Sequence, residues 1–122
     1  MVKKKRTCVF ISGQGSNLKN LISRSRDNNF PIKISLIICN NKKAYGINYA
    51  KKYEIPYILI NTKNREYENK ILLNLRKYKI SFICLAGYMK IISNNLINNY
   101  KNKIINVHPS LLPKFKGLNT FS

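Results

Sequence analysis

Five short apolar runs divide the chain, and they constrain its fold more than any other feature. The runs are CVFIS at 8–12, IKISLIIC at 32–39, YILI at 57–60, ISFICLA at 80–86 and IINV at 104–107. Each run is continuous rather than alternating, which is typical of strands that are buried on both faces of a parallel sheet. The runs therefore predict five parallel strands.

The segments between these runs carry apolar residues at helical spacing and predict four helices. The stripes comprise Tyr67, Ile71, Leu75 and Tyr78; Leu18, Leu21 and Ile22; Leu96, Ile97 and Tyr100; and Ala44, Ile47 and Ala50. Strands that alternate with helices predict an α/β fold with an open, doubly wound (Rossmann-like) parallel sheet. We expect a single domain over residues 1–122, a length that buries roughly two-thirds of the surface of the unfolded chain.

The charge balance allows two interpretations. The 23 basic and 4 acidic residues give a formal net charge of +19, which is typical of proteins that bind nucleic acid or anionic membranes. Lys, Asn and Ile each occur 18 times, and because all three have A- and T-rich codons, drift in genome composition explains the same excess. The lysines are spread along the chain apart from a short basic start at 3–6. We favour drift and expect no nucleic-acid partner.

Cysteine usage indicates a reducing compartment. Cys8, Cys39 and Cys84 each lie inside an apolar run, their number is odd, and no CxxC spacing occurs. This pattern argues against a disulfide framework or a zinc site and favours buried thiols. No segment approaches the roughly 20 apolar residues that span a bilayer, so we expect a cytoplasmic protein with no membrane partner and no metal.

The loop SGQGSN at 12–17 joins the first predicted strand to the first predicted helix. Its two glycines allow a tight turn and a close ligand approach, Ser16 supplies a hydroxyl, and the free N–H groups of the helix start favour an anion. The spacing matches neither the dinucleotide fingerprint nor the Walker pattern. The loop is therefore either a phosphate site or a tight turn with a good cap.

Two further stretches follow later strands, where ligands bind in such sheets. AGYMKII at 86–92 offers a small Ala-Gly pair and apolar side chains for a flat aromatic group, or else it packs into the core. In IINVHPSLLPKFKG, Asn106 and His108 point the same way on an extended strand, because side chains alternate. His108 is the chain's one histidine, and it is either a catalytic or a structural residue.

Together the three stretches resemble one family. SGQGSNL, LAGYMKIIS and IINVHPSLLPKFKGLNT, in this order and spacing, are similar to phosphoribosylglycinamide formyltransferase, the folate-dependent enzyme of purine synthesis. ICNNKKAYGINYAKKYEIP resembles the family's second loop and helix, so the resemblance covers essentially all 122 residues. Methionyl-tRNA formyltransferase and formyltetrahydrofolate deformylase share a similar folate-binding core, and the glycine-rich start favours the glycinamide ribonucleotide enzyme.

The resemblance implies a reaction, transfer of a formyl group from the co-substrate 10-formyltetrahydrofolate to the amine of glycinamide ribonucleotide. It assigns the substrate phosphate to Gly15, Ser16 and Asn17. It assigns folate contacts to Arg65, Met89, Lys90, Ile91, Ile92 and Asn106. Asn106 and His108 match two members of the catalytic set, in which an amide and a protonated imidazole stabilise the oxyanion and the imidazole also moves a proton.

The sequence departs from the family pattern at two points. Lys90 stands where the family usually has Arg, which keeps the charge but loses the planar fork. The family's third catalytic residue, an aspartate that orients the histidine, has no counterpart, since the one aspartate, Asp27, lies near the end of the first predicted helix. We therefore expect that the domain lacks its carboxy-terminal part, that residues 109–122 form a loop, and that the chain alone formylates slowly.

A second class of function stays open. A noncatalytic basic module could keep this fold and bind nucleic acid through its charge. Such binding would collapse as salt rises because phosphate contacts release counterions, whereas formyl transfer would depend on two small substrates. Salt dependence therefore separates the two hypotheses.

Overall fold

Strands and helices alternate along the chain, as the apolar runs predict. The structure, a computed structural model, describes residues 3–13, 16–90, 92–107 and 118–121. The strands are β1 (Lys5–Ile11), β2 (Ile32–Cys39), β3 (Tyr57–Leu59), β4 (Phe82–Leu85), β5 (Ile104–Val107) and β6 (Leu118–Phe121). The helices are α1 (Ser16–Ser25), α2 (Gly46–Lys52), α3 (Tyr67–Lys77) and α4 (Asn94–Asn99).

The strands form one sheet in the order β3-β2-β1-β4-β5-β6. Each neighbouring pair from β3 to β5 is parallel, whereas β6 runs antiparallel to β5. The chain starts in the middle of the sheet, winds outward to β3, and returns to place β4 on the other side of β1. The predicted α/β fold with an open, doubly wound sheet is therefore confirmed.

Both faces of the sheet are covered, which explains why its strands are continuously apolar. On β1, Val9 and Ile11 pack into one core cluster with residues of α1 and α2. Cys8 and Phe10 pack into a second cluster with Ile71 and other residues of α3 and α4. Alternate side chains of one strand thus enter two different cores, and each core is closed by its own pair of helices.

Two expectations about individual segments are wrong. Residues 109–122 were expected to form a loop, but Leu118–Phe121 is strand β6. This strand pairs with β5 through main-chain hydrogen bonds, so its sequence, LNTF, needs no apolar run. The predicted stripe of the last helix held Leu96, Ile97 and Tyr100; Leu96 is buried as expected, but Ile97, the next residue around the six-residue α4, is 37% exposed.

All three cysteines are buried free thiols, as their positions predict. Burial raises the pKa of Cys84 to about 12 and also raises the pKa of Cys8 and Cys39. These thiols therefore pack as small apolar side chains on the strands. Within the described ranges, none of the helices has the length and apolar character needed to cross a membrane.

Candidate active site

The carboxyl ends of β1 to β5 meet at one edge of the sheet, because these strands are parallel. The direction of winding reverses between β1 and β4, which creates a topological switch point there. In open α/β sheets, ligands bind in the crevice that this reversal opens. The loops after β1 and β4 flank the crevice, and both were predicted to bind ligands.

The loop after β1 is held by its neighbours from two directions. Ser12 is buried, and its Oγ accepts a hydrogen bond of 2.8 Å from the backbone N–H of Met89. The Ser12 carbonyl accepts a hydrogen bond of 3.2 Å from Asn41 Nδ2. The next carbonyl, of Gly13, accepts one of 3.4 Å from the N–H of Gly46, at the start of α2. The loops after β1, β2 and β4 are therefore tied together at Ser12 and Gly13.

The loop after β4 is fixed mainly through its backbone. The N–H of Ala86 donates to the carbonyl of Phe10, and Gly87 has a φ of +73°. Tyr88 packs edge-on against the Phe10 ring with centroids 5.2 Å apart, and burial is the main cause that raises the pKa of Tyr88 to about 12. Met89 is 83% exposed. The backbone is thus anchored while an apolar side chain stays available to a ligand.

The two glycines that follow β1 and β4 are uncrowded where a side chain would stand. A Cβ built on Gly13 or on Gly87 would meet no described atom within 4 Å. The two glycines stand on opposite sides of the switch point, directly after β1 and β4. Among the described residues, no atom therefore crowds the backbone at these two glycines, which leaves the main chain open to a close approach.

Asn106 lies beside this crevice on β5. Its strand partners are Leu85, the last residue of β4, and Asn119 of β6. Ile104, two residues earlier, belongs to the core cluster under α3 and α4, so strand alternation places Asn106 on the same face. Asn106 is half-buried. The structure therefore sets a polar side chain next to the start of the loop after β4.

Arg65 follows β3, the edge strand of the sheet on the side away from β5. It lies in the loop between β3 and α3 and is exposed. Glu68, in the first turn of α3, accepts a hydrogen bond of 2.8 Å from the Oγ of Ser93, which caps α4. This bond brings the start of α3 next to the end of the loop after β4. Arg65 lies three residues before Glu68, and its approach to the other residues assigned to folate stays a prediction, since β3 is the strand farthest from β5 among the parallel five.

The remaining predicted residues fall into two groups. Asn17, Lys90 and Ile92 are described: Asn17 is half-buried in the first turn of α1, Lys90 is exposed, and Ile92 packs against the core under α3 and α4. The helix α1 begins at Ser16, where the phosphate prediction requires a helix to start. Gly15, Ile91 and His108 lie outside the described residues.

Sequence reasoning missed Ser12, Asn41, Glu68 and Ser93 as parts of the site. The signal for Ser93 was present, since a serine three residues before the first buried position of a helix is typical of an N-cap. Its Oγ indeed accepts from the N–H of Leu96. Nothing in the sequence indicates that Ser12 meets Met89, because the contact joins residues 77 positions apart.

A groove of about 450 Å³ opens at the ends of β2 and β3. It is lined by Asn40, Asn41, Lys42, Leu59, Ile60, Asn61 and Lys63. The side-chain oxygen Oδ1 of Asn40 is buried there and has no hydrogen-bond partner among the described residues. The groove lies on the β2 side of the switch point and contains none of the predicted site residues.

Comparison with known proteins agrees with this geometry. A family model described as "Formyl transferase" matches residues 5–122. Phosphoribosylglycinamide formyltransferase of Haemophilus influenzae is 40% identical over 96% of this chain and 57% of its own length. The trifunctional purine biosynthetic protein adenosine-3 of Homo sapiens is 42% identical over 96% of this chain and 12% of its own length.

A solved structure gives the same result. The crystal structure of phosphoribosylglycinamide formyltransferase from Brucella melitensis superposes with a TM-score of 0.82 at 38% identity, covering 95% of this chain and 62% of that one. The chain thus spans a little under two-thirds of the length of these bacterial relatives. The family model covers nearly the whole chain, and the chain therefore belongs to the formyl transferase family.

Proposed function

We propose that this chain contributes to a phosphoribosylglycinamide formyltransferase of purine biosynthesis, with 10-formyltetrahydrofolate as formyl donor and glycinamide ribonucleotide as acceptor. The observation that supports this most is the hydrogen bond from Met89 N–H to Ser12 Oγ. It joins a loop suited to a phosphate and a loop suited to an aromatic ring at the switch point of the sheet. The names of the bacterial relatives support the same reaction, and the cytoplasm is the compartment we propose.

The phosphate of glycinamide ribonucleotide binds at the start of α1 in this proposal. Gly15, Ser16 and Asn17 contact it, because free N–H groups at a helix N-terminus favour an anion. The first turn of α1, with the sequence SNLK, contains no acidic residue that would repel the phosphate. Gly13, three residues before the start of α1, has open space where a side chain would stand, which allows the ligand to approach the backbone.

The folate binds against the loop after β4. Met89, Ile91 and Ile92 offer apolar surface to its ring system, and exposed Met89 is free to cover a flat group. The basic side chains Arg65 and Lys90 are both exposed and suit the carboxylates of the folate. Asn106 contacts the formyl-bearing part, since it lies beside the end of β4.

Asn106 and His108 carry the chemistry. The substrate amine attacks the formyl carbon, a new C–N bond forms, and the carbonyl oxygen becomes an oxyanion. The Asn106 amide and a protonated His108 donate hydrogen bonds to that oxygen. His108 then gives its proton to the leaving nitrogen of the folate as the old C–N bond breaks, and the neutral imidazole takes up the proton that the attacking amine loses, a task that suits an imidazole because it titrates near neutrality.

Binding experiments on the 122-residue chain test the two ligand sites. Titration with glycinamide ribonucleotide should shift the amide NMR signals of residues 13–18, and Asn17→Ala should weaken this binding more than Asn20→Ala, on the same helix. Titration with tetrahydrofolate should show a lower affinity in Arg65→Met and an unchanged affinity in Arg76→Met. An absence of shifts at 13–18 at millimolar ligand would contradict the phosphate assignment.

Formyl transfer is measured as tetrahydrofolate release that depends on glycinamide ribonucleotide. His108→Ala and Asn106→Leu, compared with wild type at the same chain length, should each lose on the order of 10²-fold or more in rate, the range for loss of an oxyanion donor or a general acid-base group. Equal rates in wild type and His108→Ala would rule out the catalytic assignment.

A further inference from the structure

Ser12 differs from the other buried polar side chains of the described residues. The others are Thr7 and Ser35, and all three side chains are at most 7% exposed. The hydroxyls of Thr7 and Ser35 donate to carbonyls two residues earlier on their own strands. The Ser12 hydroxyl instead accepts from the backbone of Met89, 77 residues away. The Ser12 hydroxyl therefore provides an acceptor for the backbone of a distant loop and does not bond to its own strand.

The Met89 amide depends on this hydroxyl. It lies in an irregular segment two residues after Gly87, whose φ of +73° turns the chain out of β4, and among the described residues its acceptor is Ser12 Oγ. An amide that loses its partner in a partly buried site costs free energy. The Met89 side chain, at 83% exposed, has little packing to hold it. The position of Met89 is therefore set by its backbone, and Ser12 holds that backbone at Met89 itself, beyond the contacts that Ala86 and Tyr88 make with Phe10.

Ser12 is itself held from the other side. Its carbonyl accepts a hydrogen bond from Asn41 Nδ2 in the loop after β2, and the carbonyl of Gly13 accepts from Gly46. The hydroxyl thus projects from a backbone that is anchored before the start of α1. A shift of this anchor would move the loop after β4 relative to the start of α1.

We propose that Ser12 is a positioning residue that sets the distance between the phosphate site at the start of α1 and the folate site on the loop after β4. This inference rests on the proposed function and adds a residue to it. Ser12 touches neither ligand in this scheme, and it acts through the Met89 backbone. Removal of the Ser12 hydroxyl should weaken folate binding, because the folate loop loses its anchor at Met89, and leave phosphate binding nearly unchanged.

The test compares Ser12→Ala with Ser35→Ala, since both serines are 7% exposed and only Ser12 bonds to another loop. Loss of one hydrogen bond should weaken tetrahydrofolate binding by about fivefold to tenfold in Ser12→Ala. Glycinamide ribonucleotide affinity should stay within about twofold, and hydrogen exchange at the Met89 amide should accelerate, because that amide loses its acceptor. Ser35→Ala should change none of these three measurements.

Two outcomes would overturn the inference alone. One is a wild-type chain that binds tetrahydrofolate while Ser12→Ala binds it equally well, and the other is an equal loss in Ser35→Ala. A wild-type chain that binds neither ligand would overturn the proposed function, and the inference with it. Should Ser12→Ala fail to fold, Ser12→Cys keeps nearly the same size with a weaker acceptor. It must then show the same selective loss of folate affinity.

Discussion

Gly87 occupies the most constrained backbone position in the described part of the proposed site. Its φ of +73° lies in the left-handed region, which residues with a side chain adopt only at a cost in free energy. A Cβ at this position would meet open space, so crowding adds nothing to that cost. Gly87→Ala should therefore lower the free energy of unfolding by about 1 kcal/mol through backbone strain alone. The measurement is urea denaturation.

Gly13 provides the matched control. It also has open space where a Cβ would stand, but its φ lies outside the left-handed region. Gly13→Ala should leave stability unchanged or raise it by a few tenths of a kcal/mol, because alanine reduces the entropy of the unfolded chain. Equal losses in the two variants would contradict φ as the cause of the loss at Gly87.

At the scale of the elements, α2 and α3 end in the same way. The chain leaves each helix through a residue with positive φ, Glu54 at 57° and Lys79 at 54°. The N–H groups of the following residues, Ile55 and Ile80, donate to carbonyls five residues back. This is the Schellman arrangement, in which glycine is the preferred residue at the left-handed position and an apolar residue follows it.

Glycine at these positions should stabilise the fold. Glu54→Gly and Lys79→Gly should each raise the free energy of unfolding by about 0.5–1 kcal/mol, because glycine adopts the left-handed conformation without strain. Asn102, with a φ of 62°, follows α4 and serves as the comparison, because asparagine tolerates this region better. Asn102→Gly should gain less than the other two in the same denaturation experiment. A loss of stability in Lys79→Gly would contradict the assignment of strain.

At the scale of the whole molecule, the charge of +19 needs a physical account. Two of the cationic side chains near the amino terminus form hydrogen bonds that stabilise the fold. Lys4 Nζ donates to the carbonyls of Ser25 and Asp27 at the end of α1, and Arg6 Nε donates to the carbonyl of Tyr78 at the end of α3. Cations at a helix C-terminus complement its dipole. Lys4 and Arg6 thus have a role in the fold that accounts for part of the basic start of the chain.

Nucleic-acid affinity should accordingly be weak. We expect binding to random duplex DNA at physiological salt only in the nonspecific range, on the order of 10⁻⁴ to 10⁻⁶ M, and a steep fall in affinity as salt rises. Fluorescence anisotropy with a labelled duplex at several salt concentrations measures both quantities. Submicromolar affinity at physiological salt would favour the nucleic-acid module over drift.

Much of the fold follows from the sequence by itself. A strand buried on both faces must be apolar at successive positions, and a helix that covers it must be apolar at every third or fourth position. Both patterns are local, so IKISLIIC predicts β2 and the stripe through Ile71 and Leu75 predicts α3. The segment LNTF carries neither pattern. It forms β6 because the edge of β5 offers unpaired main-chain groups, which a sequence pattern does not record.

The features of the proposed site also divide into those that the sequence predicts and those that depend on the tertiary structure. The sequence by itself determined which residue types follow each strand: glycines and serine after β1, an apolar loop after β4, and asparagine near the end of β5. Only the tertiary structure decided that Ser12 holds Met89, that Glu68 meets Ser93, and that Asn106 lies beside Leu85. The physical reason is that residue types and their spacing act over a few positions, whereas these contacts depend on the order of strands in the sheet. That order depends on how helices pack on the two faces of the sheet. It brings together residues that are distant in sequence: Glu68 and Ser93 are 25 positions apart, and Ser12 and Met89 are 77 positions apart.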